Sequence, residues 1–121
     1  MNQEITNNEH ITRINNLNSP QKNAVTMSDD DKDIIVLAGA GSGKTKVLVE
    51  RILWLLTNRK ISGDNIMAVT FTNKAAKEMR ARIAAVCGEE TVRNMFLGTF
   101  HSIAHKMLRI HSEQAQLNNN F

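Results

Sequence analysis

Residues 38–45 read Ala-Gly-Ala-Gly-Ser-Gly-Lys-Thr, three glycines at alternate positions closed by a cation and a hydroxyl. That combination suits the capture of a phosphate. A phosphate group is a dense negative charge, and holding it with few side chains needs backbone N–H groups turned inward. Gly39, Gly41 and Gly43 let the chain take the φ values of such a nest and let phosphate oxygens come close to the backbone. Lys44 is placed to reach β- and γ-phosphates, and the Thr45 hydroxyl to ligate Mg²⁺. With Ala40, Gly41, Ser42, Gly43 and Lys46 they form a candidate triphosphate cradle in which Lys44 and Thr45 carry the chemistry. The strict loop pattern begins with Gly where this chain has Ala38, so the match is to the form with a small residue there. The other reading of these letters is a glycine-rich turn that binds nothing.

A cradle of this kind has to be presented by a strand and a helix. Ile34–Ala38 is aliphatic on both faces, as a buried parallel strand is. After the loop, Val47, Leu48, Ile52, Leu55 and Leu56 recur on one helical stripe, widened by Leu53 and Trp54. The helix then aims its positive end and its unpaired N–H groups at the loop. Upstream, Ser19 reads as an N-cap with Pro20 at the first helical position, opening a short helix to about Met27. The acidic stretch Ser28–Asp33 joins it to the first strand. Residues 1–16 are Asn-rich and weakly patterned, which predicts a flexible segment ahead of a domain over 17–121.

Downstream, Ser62–Asn65 is a turn and Ile66–Phe71 a second strand. Thr72 or Asn73 caps a helix with Ala75, Ala76, Met79, Ile83 and Val86 inward, and Gly88 stops it. A third strand falls at about Asn94–Gly98. Thr99 or His101 then opens a last helix with Ile103, Met107 and Ile110 inward. The alternation predicts an α/β fold with a parallel sheet of about three strands and flanking helices.

Other residues extend the chemistry. Gln21 lies near the start of the helix that precedes the loop strand. Its carboxamide offers a donor and an acceptor, which can pair with N6 and N7 of adenine and reject guanine. Phe71 closes a strand at the carboxyl edge of the sheet, where open α/β folds bind ligands. With Thr72, Asn73 and the cationic Lys74, Lys77, Arg80 and Arg82 beside it, the ring can stack a base of single-stranded nucleic acid, or simply end a buried strand in the core. His101 and His105 share a helix face at metal-ligand spacing, but a zinc protease needs Glu where Ser102 stands, and no third ligand is evident. Cys87 reads as a small buried residue, since nothing around it marks a lowered pKa.

Composition sets the class. The chain has 121 residues, 41% of them hydrophobic, and a net charge of +3. A single cysteine excludes an internal disulfide and suits a reducing cytosol. The polar first twenty residues carry no secretory signal, and no apolar run is long enough for a bilayer, so a soluble cytoplasmic protein without a membrane partner is expected. The charge is uneven: three bases against six acids up to Gly43, then twelve bases against five acids from Lys44 to His111. A basic half beside a phosphate loop suits a polyanionic partner such as nucleic acid, although a solvated basic surface has the same composition.

Taken together, LNSPQKNAV (17–25), the loop, AVTFTNKAAKEMRARI (68–83) and GTFHSIAHKMLR (98–109) resemble the first motor domain of superfamily 1A DNA helicases of the UvrD/Rep/PcrA group, in that group's order and spacing. The resemblance covers Leu17 to Phe121. It implies a three-layer, RecA-like P-loop NTPase fold, here incomplete, with ATP and Mg²⁺ as cofactors. It implies that Gln21 reads adenine. Phe71, Thr72 and Asn73, and Thr99, Phe100, His101 and Ser102, would line a single-stranded DNA track. It further implies ATP-dependent 3′-to-5′ translocation and unwinding in bacterial DNA repair and replication, single-stranded and duplex-junction DNA as partner, and DNA-repair proteins beside it. Lys46 stands where the group usually has an Arg that packs on the adenine face, and an ammonium stacks less well than a planar guanidinium.

Hydrolysis also needs an acid at the end of a strand to hold Mg²⁺, and a group that orients water. No Asp or Glu closes an apolar run here, and the group's arginine fingers and second motor domain would lie beyond Phe121. The expectation is a piece of a longer helicase that binds nucleotide and single-stranded DNA weakly without turnover, and that self-associates through exposed sheet edges. Two other classes share the loop. One is a non-catalytic ATP- and DNA-binding module acting through partners. The other is a small-molecule kinase, for which no acceptor site or lid is apparent.

Overall fold

The computed structural model describes residues 14–27 and 43–118. The expected strand Ile34–Ala38, the acidic connection Ser28–Asp33, loop residues 38–42, and residues 1–13 and 119–121 lie outside the described residues. Within them the order is helix α1 (Ser19–Thr26), helix α2 (Lys44–Thr57), a 3₁₀ turn (Gly63–Asn65), strand β1 (Met67–Thr70), helix α3 (Asn73–Cys87), helix α4 (Glu89–Asn94), strand β2 (Phe96–Thr99) and helix α5 (Phe100–Ile110).

β1 and β2 pair in parallel, with Met67 opposite Phe96 and Thr70 opposite Thr99. The α/β reading with a parallel sheet therefore holds, as a two-stranded sheet among the described residues. A parallel pair needs a crossover, and α3 supplies it. Its first turn is closed by Thr72, whose Oγ1 accepts from Ala75 N–H at 3.1 Å, and its last by Gly88 at φ 90°. Ala76, Met79, Ile83 and Val86 are buried along it, as their spacing predicts, while Ala75 is only half-buried. α4 was not anticipated. It is six residues long, starts with Glu89 and Glu90 where the helix dipole favours acids, and carries a single buried residue, Val92. One apolar residue makes no periodicity to detect.

α2 has two packed faces, which share the expected residues between them, with Val49 added and Leu48 left out. Val49, Ile52 and Leu53 join Met79, Ile83, Met95 and Leu97 in the main core. Val47 and Trp54 pack on a second cluster of Ile14, Leu17 and Val25. Leu48, expected inward, is 40% exposed. The helix is held from two sides, so its packed residues divide between two clusters. Glu50 falls between those two faces and is only 4% exposed. Ile14, within the segment expected to be flexible, is buried in the second cluster.

α5 also departs from expectation. Ile103 is buried, but Met107 and Ile110 are exposed, since no described element covers that face.

Candidate nucleotide and single-strand sites

Gly43 is the first residue of the loop that the structure describes. It sits in the left-handed region at φ 80°, ψ 31°, where a side chain costs about 1–2 kcal/mol. Space is short as well: a Cβ there would come within 3.2 Å of Gln21 Nε2. Residues 22 apart in sequence thus meet, and the proposed base reader touches the end of the phosphate loop. Ala40, Gly41 and Ser42 lie outside the described residues.

Helix α2 starts directly at this point. α1, α3 and α5 are each closed by a side chain, from Asn18, Thr72 and Thr99, whereas α2 has no side-chain cap among the described residues. Its first backbone N–H groups, on Lys44, Thr45 and Lys46, follow Gly43, which has no side chain to cap them. Those three side chains are exposed. An anion is the natural partner for such an end. Lys46 also lines an open groove of about 550 Å³ between α2 and α3, with Val49, Glu50, Ala81, Arg82 and Ala85.

The position of Gln21 is built by contacts the sequence reading missed. The N-cap of α1 is Asn18, one residue before the expected Ser19. Asn18 Oδ1 accepts from Gln21 N–H at 2.9 Å, and Gln21 Oε1 accepts from Asn18 N–H at 3.1 Å. This is a capping box, and its pattern Asn-x-x-Gln was there to be seen. Arg51 of α2 then donates to the carbonyls of Val25, at 2.9 Å, and Met27 at the far end of α1. The guanidinium satisfies carbonyls that the helix end leaves open, and it locks α1 to the helix that follows the loop.

The second constellation lies where both strands end. Phe71, which sequence alone left between core and surface, is 92% exposed. Phe100, 60% exposed, follows the other strand, and the two ring centroids are 5.9 Å apart at 51°. Two parallel strands ending in register bring these rings together. Thr70 Oγ1 helps to hold the ends, donating to the carbonyls of Thr72 at 3.0 Å and Gly98 at 3.5 Å. Thr72, Asn73, His101 and Ser102 are exposed around the rings, and Thr99 is half-buried.

Ser102 and Thr99 are engaged with each other. Ser102 N–H donates to Thr99 Oγ1 at 3.2 Å, and Ser102 Oγ donates to the Thr99 carbonyl at 3.0 Å. Not every cation serves this surface either. Arg80 donates to the Leu97 carbonyl at 2.8 Å, and Lys106 donates to the Met95 carbonyl while lying 4.7 Å over the Phe96 ring. Lys74 and Lys77 are exposed near the strand ends.

His101 and His105 are exposed, and among the described residues no three metal-ligating side chains come together. Burial pushes the Cys87 thiol up from its ordinary pKa, which disfavours the thiolate. Among the described residues no helix is long and apolar enough to cross a membrane.

Comparison with known proteins shows which family the chain is similar to. Residues 17–121 match the family described as "UvrD/REP helicase N-terminal domain". "DNA helicase II" of Escherichia coli (strain K12) is 49% identical over 108 residues, which is 89% of this chain and 15% of that protein. "ATP-dependent DNA helicase PcrA" of Staphylococcus epidermidis is 44% identical over 108 residues, 89% of this chain and 14% of the relative. "ATP-dependent DNA helicase Rep" of Buchnera aphidicola is 43% identical over 105 residues, 87% and 16% respectively. The chain spans well under a fifth of the length of these relatives.

Proposed function

The chain belongs to the UvrD/REP helicase N-terminal domain family, and from that premise we propose that it is the ATP-binding end of a DNA-translocating motor. The observation that carries this reading is the meeting of Gln21 and Gly43: the Gln21 amide nitrogen lies 3.2 Å from where a Cβ on Gly43 would stand. A base held at Gln21 and phosphates held at the start of α2 then belong to one nucleotide.

In that nucleotide site Gln21 pairs with adenine, and Ala40 to Lys46 supply the loop. The N–H groups of Lys44, Thr45 and Lys46 meet phosphate oxygens, and the Lys44 ammonium neutralises the β- and γ-phosphates. The residues fit a Mg²⁺–triphosphate: an uncapped helix start, a lysine and a hydroxyl are the donor set such a group needs. Thr45 would hold the Mg²⁺, which would supply neutralisation of the triphosphate charge. Lys46 leans on the adenine face with less area than an arginine would give.

Single-stranded or junction DNA is held at the strand ends. Phe71 and Phe100 stack bases, and Thr72, Asn73, Thr99, His101 and Ser102 border the track. The longer protein would couple closure of two RecA-like domains on ATP to 3′-to-5′ movement in DNA repair and replication, in the bacterial cytoplasm at the nucleoid. By itself the 121-residue chain binds both ligands weakly, does not hydrolyse ATP, and associates through open sheet edges.

Titration of the chain with a fluorescent ATP analogue and Mg²⁺ tests the reading. Saturable binding that Lys44→Ala reduces at least about tenfold, the size expected when a charge-assisted phosphate contact is lost, supports it. Equal binding by Lys44→Ala and the parent chain would overturn it.

A further inference from the structure

The carboxamide of Gln21 is gripped from behind. Its Oε1 accepts from Asn18 N–H at 3.1 Å, and its own backbone N–H is tied to Asn18 Oδ1 at 2.9 Å. A backbone N–H can only donate, so the carboxamide must turn its oxygen, not its nitrogen, toward residue 18. The reverse orientation would set N–H against N–H. Nε2 is thereby directed to the Gly43 side, where it lies 3.2 Å from the place of a Cβ. Side-chain amides on a surface ordinarily rotate, and this one has a single favoured sense.

Building on the nucleotide reading above, we propose that Asn18 is a positioning residue that sets base selectivity, by fixing which end of the Gln21 carboxamide faces the base. In the fixed sense Nε2 offers a donor, and the second lone pair of Oε1 offers an acceptor. Adenine matches that pair with its N7 acceptor and its 6-amino donor. Guanine presents N7 and O6, two acceptors, so one of them meets Oε1 and is repelled. A carboxamide released from Asn18 can swing its NH₂ alone onto the guanine edge and leave its oxygen in solvent. Discrimination is then lost although Gln21 itself is unchanged.

The contact that matters is made by a backbone N–H, and the backbone at Asn18 permits its removal. Asn18 has φ −70° and ψ 167°, values that proline adopts. Asn18→Pro deletes the N–H and the side-chain cap together. Asn18→Ala deletes only the cap, and Asn18→Asp keeps both halves of the box. The measurement is competition of ATP and of GTP against a fluorescent ATP analogue on the full 121-residue chain, with thermal unfolding in parallel.

Asn18→Asp retains the parent preference for ATP over GTP. Asn18→Ala lowers it about threefold and Asn18→Pro about tenfold, from the worth of one hydrogen bond loosened or lost. Asn18→Pro, which also loses the Asn18 N–H bond to Gln21 Oε1, melts below Asn18→Ala; the readout that a merely structural role does not move is the ATP-to-GTP ratio itself. If Asn18→Ala and any folded Asn18→Pro lose thermal stability yet keep the parent ATP-to-GTP ratio, the proposal is wrong while the nucleotide site stands. Should the parent chain bind neither triphosphate, the nucleotide reading and this one fall together.

Discussion

Gly98 lies on β2 where the strand passes under the first turn of α5, and a Cβ placed on it would overlap Ser102 Oγ. Its φ is not in the left-handed region, so Gly98→Ala adds no backbone strain and the conflict is with that hydroxyl alone. Ser102 Cβ is 3.6 Å away, which is ordinary contact. The hydroxyl must therefore rotate out of the pocket. It gives up its bond to the Thr99 carbonyl at 3.0 Å and the one it accepts from Thr99 Oγ1 at 3.1 Å. Two hydrogen bonds at an exposed residue are together worth about 1 kcal/mol, at the low end of the usual range. For a domain of this size, that lowers the melting temperature by roughly 3–6 °C.

The decisive comparison is the same substitution in a Ser102→Ala background. There the hydroxyl is already gone, and Gly98→Ala becomes neutral or stabilising by up to about 0.5 kcal/mol through the reduced freedom of the unfolded chain. Urea and thermal unfolding of the parent, both single variants and the double variant close the cycle. The expected coupling is about 1 kcal/mol or slightly more. A cost of Gly98→Ala that is the same in both backgrounds would refute the claim that Ser102 and Gly98 share one space. It would leave the start of α5 set by Thr99 alone.

Three further outcomes are expected. Phe71→Ala weakens binding of a fluorescent single-stranded oligonucleotide by about 1–3 kcal/mol, roughly 5- to 150-fold, as one stacked base is lost; because the ring is exposed, the melting temperature barely moves. Arg51→Ala frees the end of α1 from α2 and costs about 1–3 kcal/mol of stability by urea unfolding, since the carbonyls of Val25 and Met27 lose a charged donor. Cys87, whose thiol burial raises, alkylates more slowly at pH 8 in the folded chain than in urea; equal rates would argue against its burial.

Much of this arrangement was legible in the letters, for physical reasons that can be named. α3 shows itself because four buried residues recur at helical spacing between a threonine cap and a glycine stop. The strands show themselves as short apolar runs that end at polar or aromatic residues. What was hidden depends on contacts between segments. α2 reads as one stripe that includes Leu48, whereas its packed residues divide between two clusters, with Val49 buried and Leu48 exposed. Phe71 could not be assigned to core or surface, since an apolar residue closing a strand fits either until the partner strand is in place. Met107 and Ile110 carry the pattern of an inward face, and no described element meets them.

The candidate sites divide the same way. Gly43, Lys44 and Thr45 are marked by motif, and Gln21 by its placement ahead of the loop. Asn18 and Arg51, which hold Gln21, are unremarkable letters whose roles arise from hydrogen bonds. The Asn18-x-x-Gln21 box was local enough to be found. The reach of Arg51 to carbonyls 24 and 26 residues away was not.

The central claim is that one nucleotide bridges Gln21 and the start of α2. Amide-resolved NMR of the isotope-labelled chain, titrated with Mg²⁺–ATP, tests it most directly. The account predicts that the side-chain NH₂ of Gln21 and the backbone amides of Gly43 to Lys46 shift together along one binding curve. Shifts at Gly43 to Lys46 with Gln21 unmoved, or shifts confined to other surfaces, would contradict it.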